Sequence, residues 1–310
     1  MDSLTNIAPA SATLSVLIPV FNHVCVPLVE QIVAQARACG LDEGRFEVVV
    51  ADDASTDRAA KEANRALSHT AGCRLVELEQ NIGRAAIRNL LCREARHAFV
   101  LYLDSDVLPL RDDFLLSYLR EQDEACRVVY GGVALPASTE TTRHNLRYRY
   151  ETSCLEKFTA ERRSQAPYKS FRSTNFMARR DVMEAVPFDE RVRRYGHEDV
   201  LFGKGLAERG IGVRHTDNPV LVDDFEPNAL FLEKTDEGLQ TLLRFEGEMG
   251  GYSGLVSVSD RLARLHLRGA AAAAFALARP LLRRSLCGRH PSVFLYNLYR
   301  IGRYIELHKN

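Results

Sequence analysis

From Leu14 to Leu103 short apolar runs alternate with longer amphipathic segments, and this alternation restricts the fold more than any other property of the chain. Leu14–Val20 reads as a strand and 26–39 as a helix, with Pro27 tolerated near its start because the first helical amides lack intrahelical acceptors. The continuous apolar run 46–51 is typical of a parallel strand buried on both faces. A helix over 57–68, for which Asp57 is a suitable cap, leads to strand 74–78, helix 84–95 and strand 98–103. Four such repeats predict an α/β domain with a doubly wound sheet flanked by helices. After 128–133 the periodicity weakens, and the polar, Arg/Tyr-rich stretch 137–170 is expected to be a helical excursion over one face. Asn175–Arg179 reads as a further strand, 198–209 as a helix, and everything beyond Glu226 as mostly helical, with no fixed-period repeat. The expected organisation is a mobile arm over 1–12, a main body over 13–240 and a basic helical extension over 241–310.

A chain of 310 residues with zero formal net charge can bury a sizeable core, but the charge is unevenly placed. From Arg261 to Asn310 there are ten Arg/Lys against one acid, Glu306, a balance of +9 that leaves −9 on residues 1–260. Either this tail lies against its own acidic body or it approaches anionic lipid or another polyanion. The seven cysteines (25, 39, 73, 92, 126, 154 and 287) are scattered and form no CxxC, as expected for free thiols in a reducing compartment. No Lys or Arg occurs in the first 36 residues, so a basic secretory leader is not expected. The longest apolar stretch, 269–278, stops at Arg279-Pro280 and is too short to span a bilayer.

Ligands of doubly wound sheets gather at the carboxyl ends of strands, and several polar groups fall there. Asp104-Ser105-Asp106 directly follows the apolar run ending at Leu103. Two carboxylates at the end of a buried strand are costly unless a cation offsets them, and a hard divalent metal with oxygen ligands is the usual solution. Pro19-Val20-Phe21-Asn22 closes the first strand and by itself signals a turn. Asp52 and Asp53 close the second, where carboxylates can accept hydrogen bonds from a base imide or ribose hydroxyls, while Ser55 or Asp57 caps the next helix. Glu198 and Asp199 stand at a helix start, either as capping acids favoured by the dipole or as a general base presented to a site. Arg84 and Arg88 share a helix face, suited to binding a diphosphate or to pairing with Asp52 or Asp106.

In order along the chain stand Leu14-Ser-Val-Leu-Ile-Pro-Val-Phe-Asn22, Val49-Val-Ala-Asp-Asp-Ala-Ser-Thr-Asp57 and Asn81-Ile-Gly-Arg-Ala-Ala-Ile-Arg-Asn89. Leu101-Tyr-Leu-Asp-Ser-Asp106, Phe188-Asp-Glu-Arg191 and Gly196-His-Glu-Asp-Val-Leu-Phe-Gly203 follow. Together, over about residues 14–240, they resemble the inverting family 2 glycosyltransferases of the GT-A fold, bacterial polysaccharide type. The resemblance implies that Pro19, Phe21 and Asn22 pass under the nucleotide base, that Asp53 reads it (usually uracil), and that Ser55 lies in the same nucleotide segment. It places Arg84 and Arg88 near the phosphates and Asp106 on a metal ion, with Asp104 on the ribose or the metal shell. It makes Asp199 the catalytic base, with Glu198 beside it. Ser173-Thr174-Asn175 stands where the family often has Gly-Gly-x-Asn against the donor sugar, so Asn175 is carried over and the glycines are missing. A histidine that helps bind metal in many relatives is also missing. Asp223 or Asp224 substitutes for it, or the metal site is weaker; His215 reads as structural.

The resemblance thus implies Mn²⁺- or Mg²⁺-dependent transfer of a hexosyl or N-acetylhexosaminyl group from a nucleotide-diphospho-sugar, UDP-linked by preference, with inversion. The acceptor is expected to be a saccharide or lipid-linked saccharide of surface polysaccharide or glycoconjugate synthesis, with no nucleic acid partner, and the expected location is the cytoplasm, either free in it or at the inner face of the membrane. In the tail, Arg261, Arg264 and Arg268 share one helix face, and Val293, Phe294, Leu298, Ile301 and Ile305 form an apolar stripe. These helices either pack on the body or a second subunit, or make peripheral membrane contact; the oligomeric state is open. A dehydrogenase is excluded because no GxGxxG follows a strand, and a sugar nucleotidyltransferase is disfavoured because no glycine-rich loop follows the first strand. A non-catalytic nucleotide-sugar-binding or scaffold subunit that kept the fold is the remaining alternative.

Overall fold

The computed structural model describes residues 7–123, 127–155 and 159–308. Among them the elements begin with β1 (Leu14–Val20), α1 (Val26–Ala38), β2 (Phe46–Asp52), α2 (Arg58–Arg65), a 3-10 turn (Ala66–His69), β3 (Cys73–Glu77), α3 (Arg84–Glu94) and β4 (Phe99–Leu103). The middle of the chain forms β5 (Val107–Pro109), α4 (Phe114–Arg120), β6 (Val128–Tyr130), β7 (Val133–Ala134), α5 (Glu140–Arg143), α6 (Leu146–Thr152), α7 (Ala160–Ser164), β8 (Asn175–Arg179) and α8 (Arg180–Ala185). The remainder is α9 (Glu198–Glu208), β9 (Val213–His215), β10 (Val220–Val222), α10 (Asn228–Arg244), α11 (Gly254–Arg264), α12 (Arg268–Leu286) and α13 (Val293–Leu307). The described residues fall into two compact units. The first takes those within Met1–Ala134, Phe158–Arg193 and Phe202–Asp223; the second those within Leu135–Lys157, Arg194–Leu201 and Asp224–Asn310.

The first unit is built on a sheet of order β3-β2-β1-β4-β8-β6-β9 among the described residues. β3, β2, β1 and β4 run parallel, whereas β8 is antiparallel to both β4 and β6. Each central strand is apolar on both faces because both faces are covered: Val49 and Ala51 join the cluster under α3, and Val48 and Val50 on the other face are equally buried. That cluster continues through Leu91, Tyr102, Phe176, Phe188 and Phe202, with Tyr102 stacked on Phe176 at 4.7 Å and Phe188 on Phe202 at 4.6 Å. The strand order reverses beside β1, since β2 lies on one side of it and β4 on the other. In sheets of this kind the ligand crevice opens at such a reversal. A second sheet, β5-β10-β7, pairs β10 antiparallel to β5 with Val222 opposite Val107.

β1 and β8 run over the expected residues, and α1, α3, β2, β3 and β4 lie within a residue of expectation at each end. Asp57 caps α2, accepting from the amides of Ala59 and Ala60, but the helix tightens to a 3-10 turn after Arg65. The run 128–133 divides into two strands at Gly131-Gly132. A Cβ on Gly131 would lie 2.3 Å from the Tyr118 hydroxyl, and Gly132 has φ +95° against the Arg163 guanidinium, so the chain turns where only glycine fits. The expected mobile arm falls partly outside the described residues, but 7–12 are held down: Ala8 N donates to Cys39 O at 3.0 Å and Arg45 Nε to Ala12 O at 3.1 Å.

In the second unit α6, α10, α12 and α13 enclose a separate core of Leu146, Phe231, Leu232, Phe275, Leu282, Leu286, Tyr296 and Tyr299. α12 and α13 approach closely at Gly302, where a Cβ would meet the Phe275 ring at 2.1 Å. α12 runs through Pro280, whose exposed position leaves the freed carbonyl accessible to water. α10 starts at Asn228, in keeping with a chain expected to be mostly helical beyond Glu226, and it crosses position 240 without a break. Part of the basic tail is neutralised within this unit, Arg283 by Glu233 at 3.4 Å, Arg303 by Asp236 at 3.5 Å and Arg279 by Glu306 at 3.0 Å. Among the described residues no helix is long and apolar enough to cross a membrane.

Candidate active site

At the carboxyl ends of β1 and β2 the two loops are laced together. Asn22, in the left-handed region at φ +55°, accepts from Thr56 N at 2.7 Å and Asp57 N at 2.9 Å through its side-chain oxygen. Its own amide donates to Ser55 Oγ at 2.8 Å, and Ser55 N donates to an Asp52 carboxylate oxygen at 2.6 Å. Asn22 and Ser55, both expected at the nucleotide, therefore also set the shape of this rim. Phe21 is half exposed on it, and Pro19 lies just inside β1. The second Asp52 oxygen is buried with no hydrogen-bond partner among the described residues.

Asp53 turns to the opposite side. Its carboxylate accepts from Ile82 N at 2.7 Å and Gly83 N at 3.0 Å, while Asn81 donates to its backbone carbonyl at 3.0 Å. Burial raises its pKa, the two amides oppose that rise, and the neighbouring Asp52 charge adds to it. Each carboxylate oxygen keeps a second lone pair, so the acid that fixes the start of α3 retains capacity for a ligand.

α3 carries the arginines. Arg84 is exposed at its first turn. Arg88, only 2% exposed, donates from Nη2 to Asp104 at 2.7 Å, and its guanidinium lies 5.6 Å from the Phe188 ring centroid. The sequence suggested pairing with Asp52 or Asp106; Asp104 is a partner that it did not suggest. Tyr102 on β4 donates to Arg88 O at 3.0 Å, and Asp104 N to Thr174 O at 3.0 Å. The turn Asp104-Ser105-Asp106 is thus held from α3 and from the segment before β8.

The turn leads directly into β5, and β5 pairs with β10. Antiparallel pairing ends with Val222 opposite Val107, and Asp106 and Asp223 are the next residues beyond that pair, one leading into β5 and the other following β10. Both have hard oxygen donors of the kind Mg²⁺ and Mn²⁺ take, and such ions commonly use one or two carboxylates with phosphate oxygens and water completing the shell. Asp224 follows, and both Asp223 and Asp224 are exposed. No group of three or more metal-ligating side chains occurs among the described residues.

Asn175 is fully buried and spent on the fold. It donates to Gly132 O and Asn218 O, each at 2.9 Å, and accepts from the Tyr118 hydroxyl at 2.8 Å. A donor-sugar contact from that amide is therefore not what the structure offers: without the glycines expected before it, the side chain ties β8 to the β6–β7 turn. His215 is structural, as expected, with Nδ1 accepting from buried Arg163 at 3.2 Å and Nε2 donating to Pro167 O at 3.0 Å.

Glu198 and Asp199 open α9 and belong to the second unit. Glu198 is buried; Asp199 is half-buried and accepts from Val200 N at 2.8 Å. The chain enters this helix through Gly196 at φ +93° and His197 at φ +70°, the first beside Gly238 of α10, so the acids sit on a constrained turn. Burial lowers the His197 pKa, and the Glu198 charge opposes this.

Asn89 is a positioning residue that the sequence reading passes over. Its amide grips the backbone of Phe188 in both directions at 2.9 Å and donates to Glu190 at 2.9 Å. Its place one residue after Arg88 was the available signal.

Residues 15–186, more than half of the chain, match the family described as Glycosyl transferase family 2. The mannosyltransferase PcManGT from Pyrobaculum calidifontis, solved with GDP-Man and Mn²⁺, is similar in structure at 19% identity and a TM-score of 0.56, over 98% of this chain and 89% of that one. TarS 1-349 of S. aureus, solved with UDP-GlcNAc, is similar at 17% identity and a TM-score of 0.51, over 96% and 91%. A longer S. aureus TarS chain is similar at 20% identity and a TM-score of 0.50 over 74% of this chain, which spans 40% of that one. No curated protein matches by sequence. These likenesses show a common fold, and the family match, on a sheet whose strand-order reversal carries Asp53 and the Asp104–Asp106 turn, identifies the chain as a member of Glycosyl transferase family 2 with the GT-A fold.

Proposed function

We propose that this enzyme transfers a sugar from a UDP-sugar to an acceptor hydroxyl with inversion, using a divalent metal. The observation that supports the reading is the β10–β5 ladder, whose last pair, Val222 opposite Val107, brings Asp106 and Asp223 to the same end of that sheet beside the Asp104–Asp106 turn. Asp106 and Asp223 would hold Mn²⁺ or Mg²⁺, and the ion, when bound, supplies positive charge to the departing diphosphate. Asp53 accepts from the base edge through its remaining lone pairs, with Pro19, Phe21 and Asn22 forming the rim. Arg84, exposed at the start of α3, meets a phosphate oxygen, whereas Arg88 acts by holding Asp104 in place. Asp199 takes the proton of the attacking hydroxyl, and Glu198 supports it from the same helix start. The TarS 1-349 complex with UDP-GlcNAc favours UDP as the nucleotide, and the GDP-Man complex of PcManGT makes guanine the competitor to test. Catalysis is assigned to 13–240, at the cytoplasmic face of a membrane, and the acceptor to the saccharides or lipid-linked saccharides of surface polysaccharide and glycoconjugate synthesis.

The test is calorimetric titration with UDP, GDP and dTDP, with and without Mn²⁺, followed by product formation from the sugar donor of the nucleotide that binds. UDP is expected to bind in a Mn²⁺-dependent way. Asp199→Asn should bind it normally yet transfer about 10²–10⁴-fold more slowly, the usual cost of losing a general base. Near-normal turnover by this variant would reject its role; absence of nucleotide binding to the wild type would reject the whole reading.

A further inference from the structure

The second unit exposes large apolar side chains in a pattern that its own packing does not explain. Leu277 and Leu281, one turn apart on α12, are 83% and 73% exposed; Phe294 and Leu298, one turn apart on α13, are 75% and 46% exposed. α12 meets α10 through Arg283, which reaches Glu233, while α13 meets α10 through Tyr296 against Phe231 and Arg303 against Asp236. With 3.6 residues per turn, Leu277 and Leu281 fall on the flank of α12 opposite Arg283. Phe294 and Leu298 fall likewise on the flank of α13 opposite Tyr296 and Arg303. α12 and α13 pack on each other through Phe275 and Tyr299, and each of the two pairs lies on a flank of its helix that α10 does not cover.

Basic side chains accompany them. Arg284 lies one turn beyond Leu281, and Arg289 is in the connection to α13. Both are exposed, and neither side chain has a hydrogen bond or ion pair with another described residue. The same holds for Arg261 and Arg264 at the end of α11. We propose that this face docks on an anionic lipid surface, the apolar side chains entering the acyl boundary and the arginines meeting headgroup phosphates. Charge decides against a second copy of the chain: a self-complementary contact through this face would bring Arg284 and Arg289 of both copies together. The proposal goes beyond sugar transfer and does not depend on it, because lipid binding is read without donor or acceptor.

The experiment is flotation of the full chain with phosphatidylcholine vesicles, with and without phosphatidylglycerol. Binding is expected only with phosphatidylglycerol and should weaken with added salt. Leu281→Ser and Phe294→Ser are each expected to lower the partition coefficient by about tenfold, since one exposed large apolar group accounts for at least that much when buried. Arg284→Glu with Arg289→Glu, which leaves the apolar groups and the core intact, should abolish the preference for phosphatidylglycerol. Circular dichroism checks that each variant is folded. No flotation with either vesicle, or flotation unchanged in all three variants, overturns the proposal. So does a wild-type dimer in sedimentation that Phe294→Ser converts to monomer, which would make the face a contact between copies.

Discussion

Asp223 and Asp224 are adjacent acids in the sequence, and nothing there separates them. The β10–β5 ladder favours Asp223: it ends with Val222 opposite Val107, and Asp106 and Asp223 are the next residues beyond that pair. Asp223→Asn and Asp106→Asn are therefore expected to weaken Mn²⁺-dependent UDP binding by about 10–100-fold, the usual scale for losing part of a metal shell. Asp224→Asn should leave it within about twofold, the same titration serving as the measurement. Equal losses at 223 and 224 would reject the register argument. Arg88 gives a second prediction at this scale. Its planar fork is matched to Asp104 and to the Phe188 ring, and lysine reproduces neither contact. Arg88→Lys should lower the urea midpoint by an amount equivalent to about 1–3 kcal/mol, the cost of a disturbed buried pair with one half-exposed partner. An unchanged midpoint would show that the pair has no structural role. The sequence displayed these acids and arginines clearly, but a carboxylate motif does not say which cation offsets it, and only the packing of α3 against β4 makes Arg88 the partner of Asp104.

Two motif segments far apart in the sequence form one physical element. Arg88-Asn89 and Phe188-Asp189-Glu190 look independent along the chain, yet the Asn89 amide and the Phe188 backbone hold each other in both directions. The same helix is fixed at its start by Gly83, at φ +89° and ψ 164°, a conformation essentially reserved for glycine. A Cβ there would approach Arg193 O at 3.2 Å. Gly83→Ala is expected to cost about 1–3 kcal/mol of stability. It should also weaken UDP binding, because the amides of Ile82 and Gly83 that orient Asp53 would shift. Chemical denaturation and calorimetry on the same protein measure both effects, and a variant with normal stability and affinity would show that the loop has another conformation available. Helices of eight or more residues with capping or glycine signals, such as α2 and α3, were legible. β5, β9 and α8 were not, since three to six residues carry too little periodicity to separate strand, helix and turn.

At the scale of the whole molecule, the parallel half of the sheet could be read from its uninterrupted apolar runs, whereas the division into two units could not. The second unit draws on three separate stretches of chain, and its core joins Leu146 to Leu232 and Tyr299, pairings with no local sequence signature. A buried polar joint in the first unit, likewise invisible in the sequence, makes stability depend on pH. Arg163, His215 and the carbonyls of Thr216 and Pro167 link α7, β9 and the segment before β8. His215 is buried against the Tyr130 ring with the Arg163 charge beside its Nδ1, and desolvation with that charge lowers its pKa from 6.5 to about 4. Below pH 6.5 the unfolded chain takes up this proton while the folded chain resists it, so the imidazole contributes stability that is complete above 6.5 and lost as the pH falls through about 4. The loss should reach about 3 kcal/mol once both states are protonated, because each tenfold difference in proton affinity between the folded and unfolded imidazole corresponds to about 1.4 kcal/mol. His215→Gln keeps an acceptor and a donor but cannot titrate. The stability difference between wild type and this variant, from urea unfolding at stepped pH, should therefore be largest near neutrality and shrink by roughly that amount towards pH 4. Carboxylates and other histidines titrate in both proteins and cancel in the difference, so a gap that stays constant across the range would mean that His215 is not held neutral by its surroundings.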